Sequence, residues 1–164
     1  MRTDSARLIK TTLLLIRSGN RILLAKKKRG FGAGKYNGIG GKIEVGETSE
    51  QAMLRECQEE IAVVPTKYKM MGTNEFLEFY KGVQERVTFD IYVATEWTGE
   101  PKETEEMQPE WFEIDSIPYD TMFPDDRYWL PLVLDGKYIQ GYFEFDADWK
   151  MLAHEVRVDE VKSE

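Results

Sequence analysis

The chain is poor in several things. Among its 164 residues there is one cysteine, Cys57, and one histidine, His154. A single cysteine excludes an intrachain disulfide and favours a reducing compartment. With no histidine near it in sequence, Cys57 reads as a small apolar group rather than a nucleophile. His154 belongs to no motif and reads as structural. Positive charge is in deficit: 22 Lys and Arg stand against 30 Asp and Glu, a net charge of −8. That balance excludes broad attachment to nucleic acid or acidic membranes. It leaves a nucleotide substrate open, because a bound metal ion reverses the local sign. Apolar runs such as Leu13–Ile16 are far too short to span a bilayer. The start, MRTDSARLIK, has no apolar leader segment. No period of repeat length recurs, which excludes a solenoid. The expectation is one domain over residues 1–164, cytoplasmic and monomeric, with no nucleic-acid or membrane partner.

Secondary structure follows from the spacing of apolar residues. Thr11–Lys27 reads as two strands around a Ser18-Gly19-Asn20 turn, a hairpin signal. A glycine-rich loop follows, Arg29–Gly41, where backbone can approach a ligand closely. From Thr48 to Val63 the spacing is helical. Thr48 and Gln51 suit a capping box, and Ala52, Leu54, Cys57 and Ile61 form an apolar stripe. Val87, Phe89, Ile91 and Val93 alternate as a strand should. Asp125–Gly136 reads as a short helix interrupted by Pro131. The segment Tyr138–Val158 reads as a closing hairpin turning at Asp146–Trp149. Interleaved strands and helices with hairpins at both ends predict an α/β (α+β) fold, a mixed sheet covered by helices.

One segment is crowded with like charge. Gly41–Glu60 carries six glutamates in twenty residues. On a helix, residues three and four apart share a face, so Glu56 sits beside Glu59 and Glu60. Glu47 lies just before the helix, on a stretch that can fold back toward that face. Arg55 is four residues before Glu59 and can orient it. A solvated acidic face is the ordinary reading of such a run. Against it, the glutamates mostly lack lysine partners at helical spacing, and they follow a glycine loop that ends in Lys42, a phosphate-binding context. Several carboxylates within reach of one point make a hard-oxygen site of the kind Mg²⁺ prefers.

Gly41–Val63 resembles the Nudix box, G-x5-E-x7-R-E-U-x-E-E-x-G-U with U a bulky apolar residue. Gly41, Glu47, Arg55, Glu56, Glu59 and Glu60 fall at the required spacing, Cys57 and Val63 fill apolar positions, and Ala62 stands where the family has glycine. That glycine ends the helix in a left-handed conformation, which alanine adopts at a cost of roughly 1 kcal/mol. The resemblance implies the Nudix α/β/α sandwich, with a mixed β-sheet between helices. It also implies hydrolysis of a nucleoside diphosphate linked to another group. It gives Glu56, Glu59, Glu60 and the Gly40 carbonyl as ligands of Mg²⁺, with Mn²⁺ as an alternative, and Arg55 as their orienter. Glu106 matches a family acid outside the box, as metal ligand or as base. Lys42 meets phosphate.

Further segments, KKRGFGAGKYNGIGGK, EMQPEWFEIDSIP, FPDDRYWLPL and GYFEF, resemble the branch of the family that hydrolyses oxidised purine nucleoside triphosphates. Metal-dependent conversion of 8-oxo-dGTP and 2-oxo-dATP to monophosphate and pyrophosphate, clearing damaged nucleotides from the pool, is what this implies. The branch's base pocket maps onto Thr12, Lys27, Phe31, Asn37, Phe79, Phe89, Phe123, Asp125, Asp126 and Trp129. Phe123 replaces a tryptophan and stacks over less area. Asp125 and Asp126 have two readings. They cap a helix, or they read the base edge, one protonated and one ionised, because two close carboxylates in an apolar pocket do not both stay charged. Trp97, Trp111 and Trp149 read as core or rim rather than as ligand plates. Two other functions stand beside this one. One is a Nudix hydrolase of ADP-ribose, a dinucleoside polyphosphate or a methylated purine triphosphate. The other is a silent Nudix-like binding module, which the full set of box glutamates disfavours.

Overall fold

The computed structural model describes residues 6–159. Apolar alternation and glycine turns build its strands: β1 (Arg7–Ser18), β2 (Arg21–Lys27), β3 (Tyr36–Asn37), β4 (Ile39–Lys42), β5 (Val64–Tyr80), β6 (Val83–Thr98), β7 (Met107–Glu113), β8 (Tyr138–Phe145) and β9 (Met151–Asp159). Two helices interrupt them, α1 (Ser49–Ile61) and α2 (Asp126–Leu134). Among the described residues the strands make one sheet in the order β3-β2-β1-β6-β5-β8-β9, with β4 beside β1 and β7 beside β2. The β1–β6 and β5–β8 pairs are parallel and the others antiparallel, so the sheet is mixed as expected. Hairpins stand at both ends, β1–β2 and β8–β9.

Both faces of the sheet are covered, which gives the α/β/α sandwich. Leu14, Ile16, Leu23 and Ile39 pack with Met53, Cys57 and Ile61 of α1. Leu13, Leu15, Ile91 and Phe143 pack with Trp129, Leu130 and Val133 of α2. This is why β1 is buried without a break from Thr11 to Ile16: a strand covered on both sides has no solvent face to alternate toward. β1 also forks the sheet, pairing with β4 at Thr11–Leu14 and with β2 at Ile16–Ser18. The fork sets Gly40 and Gly41 against Leu13 and Thr12, so close that a β-carbon on Gly40 would lie 1.9 Å from the Thr12 carbonyl oxygen.

Local rules hold at the ends of α1. Thr48 and Gln51 form the capping box in both directions, and Ala62 is left-handed at φ 61 with its N–H donating to the Gln58 carbonyl. The buried stripe of α1 is Ala52, Met53, Cys57 and Ile61; Leu54 only flanks it. α2 continues through Pro131. The ring removes one backbone hydrogen bond, a cost of about 3 kcal/mol in an open helix, and burial of Trp129, Leu130, Val133 and Leu134 offsets it. β5 is the element least visible in sequence. Register shifts between Pro65 and Lys67, Lys67 and Tyr68, and Met70 and Gly72 break its period of two.

Candidate active site

A cleft of about 330 Å³ opens on the α2 face of the sheet. Its floor is β1, β5 and β6, one wall is the start of α2, and the glycine loop after β2 forms a rim. The sequence-predicted residues Thr12, Lys27, Phe31, Asn37, Gly40, Lys42, Phe89, Phe123, Asp125, Asp126 and Trp129 all line it. Phe79 does not. Asn74, Phe76 and Glu78 are the positions of β5 that face the cleft, so strand alternation turns Phe79 to the opposite face. Trp149, read from sequence as core or rim, lines the cleft. It sits at φ 60 in the β8–β9 turn, 4.2 Å from the Phe145 ring and about 5.5 Å from those of Phe31 and Phe123. Phe31 and Phe123 stack nearly parallel at 5.9 Å, with the Lys35 ammonium 5.7 Å from the Phe123 ring. Trp97 and Trp111 pair with each other against the α1-side core. His154 is exposed on β9 against Tyr128. Cys57 is buried, which pushes its thiol up to about 12 and keeps it protonated.

Arg55 answers the crowding of α1. Its guanidinium grips Glu47 through two nitrogens at 2.6 and 2.9 Å and reaches Glu59 at 3.2 Å. It stands 3.6 Å from Glu56 and donates to the Lys42 carbonyl. Held by Arg55 and by the Glu44 N–H, Glu47 falls to about 2. Two glutamates are left converging. Glu60 is pushed up to about 8 by burial and by Glu56, with the Gly40 N–H and Lys27 pulling the other way. Glu56 is raised by burial first, while Arg55 opposes the rise. Among the described residues no three acidic side chains already meet at one point; Glu59 is turned to Arg55 and more than half exposed. Glu106 pairs with Arg29, which holds its carboxyl below the ordinary range.

The donors nonetheless suit a hard divalent cation. Glu60 Oε1 is buried with no hydrogen-bond partner. Gly41 leaves a hollow that the Glu56 carboxylate fills, since a β-carbon there would lie 1.9 Å from its Oε2. Carboxylate and carbonyl oxygens, with room for water and phosphate beside them, are what Mg²⁺ takes.

At the far end of the cleft Asp125 and Asp126 separate in role. Asp125 opens α2 but makes no side-chain cap. Its Oδ2 accepts from the Trp129 indole at 2.8 Å and its Oδ1 has no partner. Asp126 does hold the turn, its Oδ2 accepting from the Phe123 N–H at 3.0 Å. Burial raises both carboxyls, and Asp125 raises Asp126 further, so the pair retains a proton.

Four buried side-chain oxygens lack partners among the described residues: Thr12 Oγ1, Asn74 Oδ1, Asp125 Oδ1 and Glu60 Oε1. Three line the cleft and the fourth belongs to the acidic helix below it. Polar atoms are rarely left so in a packed interior, and their concentration here marks where a polar ligand belongs. Asn74 and Glu78 were not foreseen; the signal was absent because β5 itself was hidden.

The NUDIX domain model matches residues 7–133. The chain is 44% identical over 151 residues to the oxidized purine nucleoside triphosphate hydrolase of Danio rerio, covering 92% of this chain and 94% of that one. It is 42% identical over 146 residues to the protein of the same name from Mus musculus, covering 89% and 92%. Its fold superposes on the crystal structure of a MutT protein from Bacillus halodurans with a TM-score of 0.80 at 24% identity, over 90% of this chain and 97% of that one.

Proposed function

The chain belongs to the Nudix family, and on that premise we propose that it hydrolyses oxidised purine nucleoside triphosphates, 8-oxo-dGTP and 2-oxo-dATP, to monophosphate and pyrophosphate. The observation that carries this reading is the unpartnered polar oxygens of an aromatic-lined cleft, Thr12 and Asp125 among them, standing next to the Glu56–Glu60 pair. We further propose Mg²⁺, or Mn²⁺ in its place, as cofactor, held by Glu56, Glu59, Glu60, Glu106 and the Gly40 carbonyl. Such an ion, when bound, neutralises phosphate charge and lowers the pKa of water. The remaining work falls to side chains. Arg55 holds Glu59 and Glu47 in place and keeps the acidic face from springing apart. Lys42 and Lys27, both at the cleft, attract the triphosphate. Arg29 keeps Glu106 a weak base, which favours a ligand's role for it over a proton acceptor's. Phe31, Phe123 and Trp149 offer faces for a purine to stack on. Asp125 and Asp126, sharing a proton, present a donor and an acceptor to the base edge.

The same reading takes residues 1–164 as one domain with its box at 41–63, a cytoplasmic monomer acting on small nucleotides and not on nucleic acid. No helix among the described residues is long and apolar enough to cross a membrane. A substrate panel with Mg²⁺, read by pyrophosphate release, tests the proposal. Faster turnover of 8-oxo-dGTP and 2-oxo-dATP than of dGTP, ADP-ribose, dinucleoside polyphosphates or methylated purine triphosphates is expected. Glu56→Gln and Glu60→Gln should each nearly abolish it with the fold intact. Preference for another member of the panel, or near-normal kcat in both variants, overturns it.

A further inference from the structure

Of the polar side chains that β5 turns to the cleft, Asn74 and Glu78, Asn74 lies between apolar rows. Across the sheet, the row Ile9–Val87–Phe76–Phe143 lies on one side of it and Leu13–Ile91–Ile139 on the other. Between them runs Thr11–Phe89–Asn74–Gly141. The Thr11 hydroxyl is already committed, donating to the Thr88 carbonyl at 2.7 Å. Asn74 is not. It is 2% exposed, it lines the cleft, and its carboxamide oxygen has no partner. Its neighbour makes the room: a β-carbon on Gly141 would lie 2.1 Å from Asn74 Oδ1. A buried amide kept for structure would be hydrogen-bonded within the fold, as nearly all such groups are. This one is seated against Gly141, in a side chain that lines the cleft.

We infer that Asn74, seated in the gap left by Gly141, is a specificity-determining residue that accepts a hydrogen bond from an N–H of the bound purine. It reads the base from the sheet floor while Asp125 and Asp126 read it from the α2 wall. The inference rests on the proposed function and adds a residue to it. A carboxamide also donates, so Asn74 serves a base edge that carries both an N–H and a carbonyl. Oxidation to the 8-oxo form creates such an edge, turning a ring acceptor into an N–H beside a new carbonyl.

The test uses the whole chain with Asn74→Leu, which keeps the volume and removes the amide. Removing an unmatched buried amide is expected to raise Tm. KM for 8-oxo-dGTP should rise about tenfold or more, since an unmade hydrogen bond in a buried site is worth that much, while kcat at saturation stays within about twofold because the glutamates of α1 are untouched. Binding of the product 8-oxo-dGMP without metal, followed by calorimetry, should weaken by the same factor. Asn74→Ser is the second variant, small and solvated, and should show the same loss of affinity if the leucine form does not fold. A fall in Tm with unchanged KM and product affinity overturns the inference and leaves the function standing. Failure of the unmutated protein to turn over any oxidised purine triphosphate overturns both.

Discussion

Gly41 and Glu56 occupy one another's space: a β-carbon on residue 41 would lie 1.9 Å from the Glu56 Oε2 and 2.5 Å from its carboxyl carbon. The glycine of the box is therefore a hollow for a carboxylate rather than a hinge. Its φ is unremarkable, so alanine strains nothing in the backbone. Gly41→Ala should leave Tm within a few degrees, since the obstructed group is the end of a flexible side chain. The displaced Glu56 should raise the Mg²⁺ concentration for half-maximal turnover on the order of tenfold, as misoriented ligands do. A metal titration of turnover checks this, and an unchanged profile would remove Glu56 from the site.

Ala62 holds φ 61 at the end of α1, a conformation glycine takes without cost. Ala62→Gly should stabilise the protein by up to about 1 kcal/mol, seen as a rise of about 2–4 °C in Tm. Activity should not change, because Ala62 is exposed and outside the cleft. A lower Tm would show that unfolded-chain entropy outweighs the strain.

Asp125 and Asp126 differ in what an amide would do to them. Asp125→Asn keeps an acceptor for the Trp129 indole and puts fixed donors where Oδ1 had no partner. Asp126→Asn keeps an acceptor for the Phe123 N–H. Both should keep Mg²⁺ dependence. Neither can move a proton, so the ratio of kcat/KM for 8-oxo-dGTP to that for 2-oxo-dATP should shift at least about tenfold in one of them. A ratio that stays put while Tm falls would return the pair to a purely structural role.

Glu78 faces Glu85 directly across the β5–β6 ladder, and Glu85 is already held by Arg7 at 2.8 Å. Burial first, then Glu85 and Asp125, raise Glu78 from 4.5 to about 7. The folded state thus binds its proton more tightly than the unfolded chain does. The stability this proton confers is present below about 4.5 and is lost as pH rises through about 7. Glu78→Gln should match the unmutated protein in Tm near the low end of that window and exceed it at pH 8. Melting curves across the window, run on both proteins, measure the difference; parallel curves would mean that Glu78 ionises freely in solvent.

Short-range chemistry was legible from residues alone. The capping box of Thr48 and Gln51, the bridge from Arg55 to Glu59 and the left-handed Ala62 involve partners within one turn of helix, so spacing dictates them. The β1–β2 and β8–β9 hairpins are local for the same reason. What sequence left open depends on parity and on distant neighbours. By resemblance Phe79 reads as a pocket residue and Asn74 and Glu78 do not; the alternation of β5 from Gly72 to Tyr80, in unbroken register with β6, decides which of them face inward. Whether Asp125 caps α2 depends on Trp129 Nε1 lying within 2.8 Å, a packing outcome.

The acidic run Gly41–Glu60 shows its shared face in its own spacing, because three- and four-residue intervals set one helical face whatever surrounds it. The cleft does not. It is assembled from β1, β5, β6, the glycine loop, the start of α2 and the β8–β9 turn, segments brought together when a sheet forked at β1 is covered on both faces. Burial then sets the protonation of Glu60, Glu78 and the aspartate pair, because removing water from a carboxyl is a property of the packed interior and not of the residue.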